Sequence, residues 1–165
     1  MERIAVFTGS FDPFTVAHLA IAQKAAGIFE RVIIAVGKNV SKRPLLPVHV
    51  RVRLAAKAVE FLPNVQVDAF DGLAVEYMKA VGAKYFVRGI HSAAEFDVER
   101  DLAWNNQRLF PEAETVFFPL EPEFAGVSSS AVREILHFGG SCPHLVPASI
   151  YADLLQELEN LSCSD

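Results

Sequence analysis

Short apolar runs rich in β-branched and aromatic residues recur along the chain, at Arg3–Phe7, Val32–Val36, Val65–Asp68, Tyr85–Arg88 and Thr115–Pro119. Each is too short for a stable helix, and the near-continuous apolar character is that of a strand buried on both faces. Longer stretches of mixed apolar and polar positions separate them, at Ala17–Phe29, His49–Phe61, Leu73–Val81 and Ala94–Leu109, and these predict amphipathic helices. Strands alternating with helices specify a parallel sheet joined by right-handed crossovers. The expected fold is therefore a single Rossmann-like α/β domain over residues 1–165, a five-stranded parallel sheet with helices on both faces. Two further helices, Ser128–His137 and about 147–161, end the chain before a short tail, and Gly139-Gly140 between them provides a stop and a turn. No repeat, low-complexity segment or linker divides it.

In open parallel sheets, ligands bind outside the carboxyl ends of the strands. Gly9–His18, Gly37–Pro47, Gly72–Ala74 and Arg88–His91 each follow a predicted strand, so all four segments line one rim. The chain has 165 residues, 52% of them hydrophobic, which suits one domain with a substantial core. Its net charge of −5 argues against a nucleic-acid surface, so basic residues that serve an anionic ligand must be concentrated locally. Cys142 and Cys163 are its only cysteines, too few for a disulfide framework or a CxxC metal site, and a reducing cytoplasm is the expected compartment. No apolar run reaches the roughly 18 residues of a membrane span.

The most informative stretch is Thr8-Gly9-Ser10-Phe11-Asp12-Pro13-Phe14-Thr15-Val16-Ala17-His18. A strand that ends at Gly9, turns through Asp12-Pro13 and enters a helix near His18 offers backbone N–H groups and an imidazole where a phosphate can be held. This stretch resembles the TxGxFDPxTxGH signature of nucleotidylyltransferases, most closely that of bacterial phosphopantetheine adenylyltransferases. Further segments resemble the same family in the same order: Ser41-Lys42-Arg43-Pro44, Val87-Arg88-Gly89-Ile90, Glu95-Phe96-Asp97-Val98-Glu99 and Val127-Ser128-Ser129-Ser130-Ala131-Val132-Arg133. The likeness runs to about Leu155, and ordered motifs are far more specific than any one of them.

The resemblance implies transfer of AMP from ATP to 4′-phosphopantetheine, with Mg²⁺ arriving on ATP and no protein metal ligand. It implies that His18, Lys42 and Arg88 are catalytic, His18 as a donor to the α-phosphate and not as a nucleophile. Nucleotide contacts are implied for Ser10, Phe11, His18, Gly89, Ile90, His91, Glu99, Phe124, Ala125, Gly126, Val127, Ser128, Ser129 and Ser130. Acceptor contacts are implied for Ser10, Lys42, Leu73, Ala74, Arg88 and Asn106. Lys38 and Arg43 add local positive field, and Arg133 either serves the phosphates or pairs with carboxylates near Glu134. Coenzyme A as a feedback ligand and a homohexameric assembly are further implications, with neither nucleic acid nor membrane as partner.

Two positions depart from the family pattern. Ala17 stands where Gly is usual, which matters if the backbone there needs positive φ or touches the ligand. His91 replaces the second arginine of RGxR and exchanges a permanent charge for a shorter, titratable group, so triphosphate affinity is expected to be weaker or more pH-dependent. A nicotinate mononucleotide adenylyltransferase would carry a second His where this chain has Thr15. A cytidylyltransferase would need a later RTxGISTT-like element, which is absent. A nucleotide-binding module without catalysis is favoured only by Ala17 and His91.

Overall fold

The structure is a computed structural model that describes residues 2–38 and 44–163. Its sheet contains β1 (Ile4–Gly9), β2 (Arg31–Gly37), β3 (Val65–Phe70), β4 (Tyr85–Ile90) and β5 (Glu114–Pro119), all parallel, in the order β3-β2-β1-β4-β5. The expected sheet is thus borne out, with each strand starting or ending within two residues of the predicted bounds. Period-two geometry sends successive side chains to opposite faces. Ala5, Phe7, Val32, Ile34 and Val36 enter one core, while Ile4, Val6, Ile33 and Ala35 enter the other.

The first core is covered by α1 (Val16–Ala26), α2 (Val48–Ala58), α5 (Ser129–His137) and α6 (Ala148–Ser162), the second mainly by α3 (Ala74–Ala80). The helix α4 (Ala93–Leu109) differs from the rest, because none of its residues is buried. A 3₁₀ turn at Pro122–Phe124, not anticipated from the sequence, carries the chain from β5 towards α5. The Gly139-Gly140 stop is a Schellman closure: Gly139, at φ 73°, bonds Leu136 O and Gly140 bonds Ile135 O. Among the described residues no helix is long and apolar enough to cross a membrane.

Strand order reverses direction between β1 and β4, since β1 is flanked by β2 on one side and β4 on the other. Loops leaving the two strands therefore diverge and open a crevice, the topological switch point of a doubly wound sheet. Gly89 lets α1 approach β4 there, because an added Cβ would lie 2.9 Å from Ile21 Cγ1, and Ile21 is buried. Gly89→Ala is expected to cost about 1–3 kcal/mol by overpacking. Denaturant unfolding should show the penalty to be smaller when Ile21→Ala is already present, and additive losses would show that the two residues do not compete for space.

Candidate active site

The crevice holds a cavity of about 340 Å³ lined by Thr8, Gly9, Ser10, Phe11, Ala17, His18, Arg88, Gly89, His91, Glu95, Glu99, Val127, Ser128 and Ser129. A second cavity of about 200 Å³ adjoins it, lined by Thr8, Ala74, Arg88, Glu99, Leu102, Ala103 and Asn106 among others. Thr8, Arg88 and Glu99 belong to both linings and so form the wall between them.

The turn after β1 is fastened from several directions. Phe11 takes φ 47°, the only described non-glycine residue with positive φ, and its ring is buried against Phe7 and Phe14. The Asp12 carboxylate, 5% exposed, accepts from Leu45 N at 2.7 Å and Leu46 N at 2.9 Å. Arg51, 4% exposed, donates to Leu46 O, to Ser10 O at 2.6 Å and to Gly37 O at 3.0 Å. Burial lowers the Arg51 pKa and the Asp12 charge opposes that shift. From α5, Arg133 donates to Asp12 O at 2.8 Å and Ser129 Oγ to Pro13 O at 2.8 Å. Arg133 thus serves the turn's backbone, not a carboxylate near Glu134. Arg51 was not legible in advance, since on the sequence it is one of several basic residues in a helix and its carbonyl partners are distant.

Thr15 and His18 form the start of α1. Thr15 Oγ1 accepts from His18 N, while His18 Nδ1 accepts from Thr15 N at 3.0 Å. A backbone N–H can only donate, so Nδ1 carries no proton and the neutral ring keeps its hydrogen on Nε2. Desolvation, with smaller contributions from His91 and Arg88, brings the His18 pKa down to about 4. At neutral pH the site therefore presents an uncharged imidazole whose Nε2–H is a donor. Ala17 lies inside α1 with ordinary φ, and its methyl is buried in the cavity lining.

Arg88 makes a bidentate pair with Glu99, Nε–Oε2 and Nη2–Oε1 both 2.6 Å, and Nη1 bonds Thr8 O at 2.8 Å. Glu99 is 14% exposed, so it is a fixed member of the wall and not a solvated helix carboxylate. Among the described residues one Nη2 N–H of Arg88 has no partner, and its long 3.4 Å contact to Thr8 Oγ1 is one that a stronger acceptor can displace. His91 also differs from the expected free phosphate contact: Glu95 Oε2 lies 3.1 Å from its Nδ1 and accepts its backbone N–H at 2.6 Å.

The three serines at the start of α5 all have internal partners, but only Ser129 donates its hydroxyl proton to one. Ser128 Oγ caps Ala131 N, Ser129 Oγ bonds Pro13 O and Ser130 Oγ accepts from Arg133. Ser129 thus offers an anion only its backbone, while Ser128 and Ser130, whose oxygens accept, keep their O–H protons beside the first-turn N–H groups of Ser129 and Ser130. Val127 is buried at the cavity edge, whereas Phe124, Ala125, Gly126, Ser130 and Ile90 lie outside its lining. Ala74 and Asn106 meet in the second cavity, but Leu73 is 61% exposed and lines neither. Lys42, with Ser41 and Arg43, lies outside the described residues. Among the described residues no cluster of three His, Cys, Asp or Glu side chains could hold a metal.

A parallel sheet whose switch-point crevice gathers an imidazole, a guanidinium and a helix N-terminus is built to handle phosphates. Residues 6–135 match the family model described as Cytidylyltransferase-like. Curated proteins named phosphopantetheine adenylyltransferase align over almost the whole chain. The Nostoc punctiforme protein is 44% identical over 93% of this chain and 84% of its own length, and that of Carboxydothermus hydrogenoformans is 38% identical over 98% and 99%. The Synechocystis protein is 44% identical over 92% and 95%. The chain belongs to the cytidylyltransferase-like family and, within it, to the phosphopantetheine adenylyltransferases.

The depressed pKa of His18 has a consequence for stability. Its folded pKa of about 4 lies below the unfolded value near 6.5, so between those values the unfolded chain binds the extra proton. The stabilisation is complete above about pH 6.5 and is lost as pH falls towards about 4, an effect of up to roughly 3 kcal/mol. Denaturant midpoints measured from about pH 8 to about pH 4.5 should fall more steeply for the parent than for His18→Gln. Parallel curves would show that His18 is not held neutral.

Proposed function

We propose that the protein transfers the adenylyl group of ATP to the phosphate of 4′-phosphopantetheine, giving dephospho-coenzyme A and pyrophosphate. The observation that carries this reading is the uncharged His18, whose Nε2–H donor stands in a cavity also lined by Arg88 and the N-terminus of α5. The acceptor phosphate is an oxyanion near neutral pH and needs no general base. An acceptor oxygen bonds the α-phosphorus as the bond to the bridging oxygen breaks, and pyrophosphate leaves with that electron pair. His18, neutral and already oriented by Thr15, donates a hydrogen bond to charge on the α-phosphate. The N–H groups of Ser129 and Ser130 face the departing phosphates, and Arg88, on the shared wall, aligns the acceptor phosphate against the α-phosphate.

Ala74, Leu102 and Asn106 give the second cavity a mixed lining suited to the pantetheine arm. Coenzyme A carries the same arm and would compete for that cavity as a feedback ligand. Lys42 is proposed as a further cation for the acceptor phosphate. Mg²⁺ would be held by phosphate oxygens, since Glu95 and Glu99 are already engaged, and would neutralise charge on the triphosphate. Both cysteines are free, consistent with a cytoplasmic setting. The uncovered stripe Val98, Leu102 and Leu109 on α4 supports assembly of several copies, for which a homohexamer is proposed.

Pyrophosphate release measured over a panel of acceptors should single out 4′-phosphopantetheine, and faster turnover with nicotinate mononucleotide would reassign the substrate. His18→Ala should lower kcat by about 10²–10⁴-fold with modest change in ATP affinity. Lys42→Ala should raise KM for the acceptor well beyond KM for ATP, and equal effects would move the lysine to the other ligand. Sedimentation of a Val98→Glu/Leu109→Glu protein should show smaller particles than the parent. Identical sedimentation would remove α4 from the assembly.

A further inference from the structure

The carbonyls of Ser10, Asp12 and Pro13 in the turn after β1 are each held by a side chain from a distant element, and one of those side chains does more than satisfy burial. The Arg51 guanidinium joins three segments by their carbonyls: Ser10 in the turn, Gly37 at the end of β2 and Leu46 just before α2. A trans peptide is planar, with its C=O and the following N–H pointing in opposite directions. The 2.6 Å bond from Arg51 to Ser10 O therefore fixes where the Phe11 N–H points, away from Arg51. Ser10, Phe11 and His18 line the cavity and Arg51 does not. No described carbonyl or side chain bonds the Phe11 N–H.

The geometry points to Arg51 as a positioning residue for adenylyl transfer: its grip on the Ser10 carbonyl aims the Phe11 N–H into the phosphate cavity beside His18. The Phe11 backbone needs that help, because positive φ is unfavourable for a residue with a Cβ and a free peptide would relax. The buried cation also polarises the peptide it binds, which makes the opposite N–H a better donor to an anion. Asp12 sets the distance between turn and α2 through Leu45 N and Leu46 N, so the guanidinium reaches Ser10 and Leu46 together. Arg51 itself touches neither ligand.

A test compares Arg51→Lys and Arg51→Met with the parent protein. An ammonium on a flexible stem can still meet Ser10 O and Gly37 O but cannot span to Leu46 O as well, while methionine donates to none of them. Both variants should therefore lose stability, Arg51→Met the more of the two, and only Arg51→Met should lose the aimed N–H. Its kcat should fall about tenfold or more with KM for ATP within about threefold, while Arg51→Lys keeps at least about a third of parental kcat.

The kinetic arm rests on the adenylyl-transfer reading, and a second arm does not. The Phe11 amide, followed by ¹⁵N–¹H NMR as inorganic pyrophosphate is added, should shift in the parent and in Arg51→Lys but not in Arg51→Met. An amide that moves equally in all three proteins would overturn the proposal, as would a folded Arg51→Met protein with kcat within about threefold of the parent. If Arg51→Met does not fold, Arg51→Lys decides. A responsive Phe11 amide in it supports the proposal and a silent one overturns it. Loss of turnover on every acceptor with the amide pattern intact would count against the reaction assigned and not against Arg51.

Discussion

The turn from Ser10 to Thr15 governs this molecule, because it leaves a strand buried from Ile4 to Phe7 and must take its polar backbone with it. A buried carbonyl without a partner costs about 1–3 kcal/mol, and this turn has three to satisfy within four residues. The chain solves the problem with side chains from distant elements: Arg51 on α2 takes Ser10 O, Arg133 on α5 takes Asp12 O and Ser129 takes Pro13 O. The same bonds that satisfy the turn bring α2 and α5 against it. Fold and site thus share one set of interactions, and the phosphate cavity forms where the satisfied backbone ends.

That sharing explains what the sequence could reveal. The strands were legible because burial on both faces leaves an uninterrupted apolar run, and their order in the chain led to a common rim. Helix ends were less legible: α1 begins at Val16 because Thr15 and His18 cap each other, a reciprocal bond between side chain and backbone that spacing alone does not disclose. The candidate residues at Arg88, His18 and Ser129 could be found from motifs, but their occupations could not. Ser129 reads as a hydroxyl for an anion, yet its hydroxyl is spent on Pro13 and only backbone remains. Arg51 and Asp12 stay hidden for a related reason, since their partners are main-chain atoms, which leave no mark in composition.

The capping bond also decides the chemistry open to His18. An imidazole fastened through Nδ1 in a desolvated pocket beside Arg88 has two reasons to stay neutral and one atom left to use. A charged imidazolium would bind anions more strongly in the ground state, whereas a neutral donor oriented in advance gains most where negative charge grows. The aromatic surroundings, with Phe11 and Phe14 rings within 5.0 and 5.4 Å of the imidazole centroid, restrict its orientation further.

A carboxylate in a phosphate site looks like a contradiction until its geometry is considered. Glu99 takes the Nε and Nη2 edge of the Arg88 guanidinium and thereby fixes its plane on the wall between the cavities. A free arginine could follow either ligand; this one must stay where both meet. The pair is also electrically neutral, so it supplies direction without a large attractive field. On the proposed reaction that is an advantage, because two anions must approach within bonding distance and pyrophosphate must then leave. Net positive charge would have to come with the nucleotide's metal and from lysines, while the wall supplies alignment.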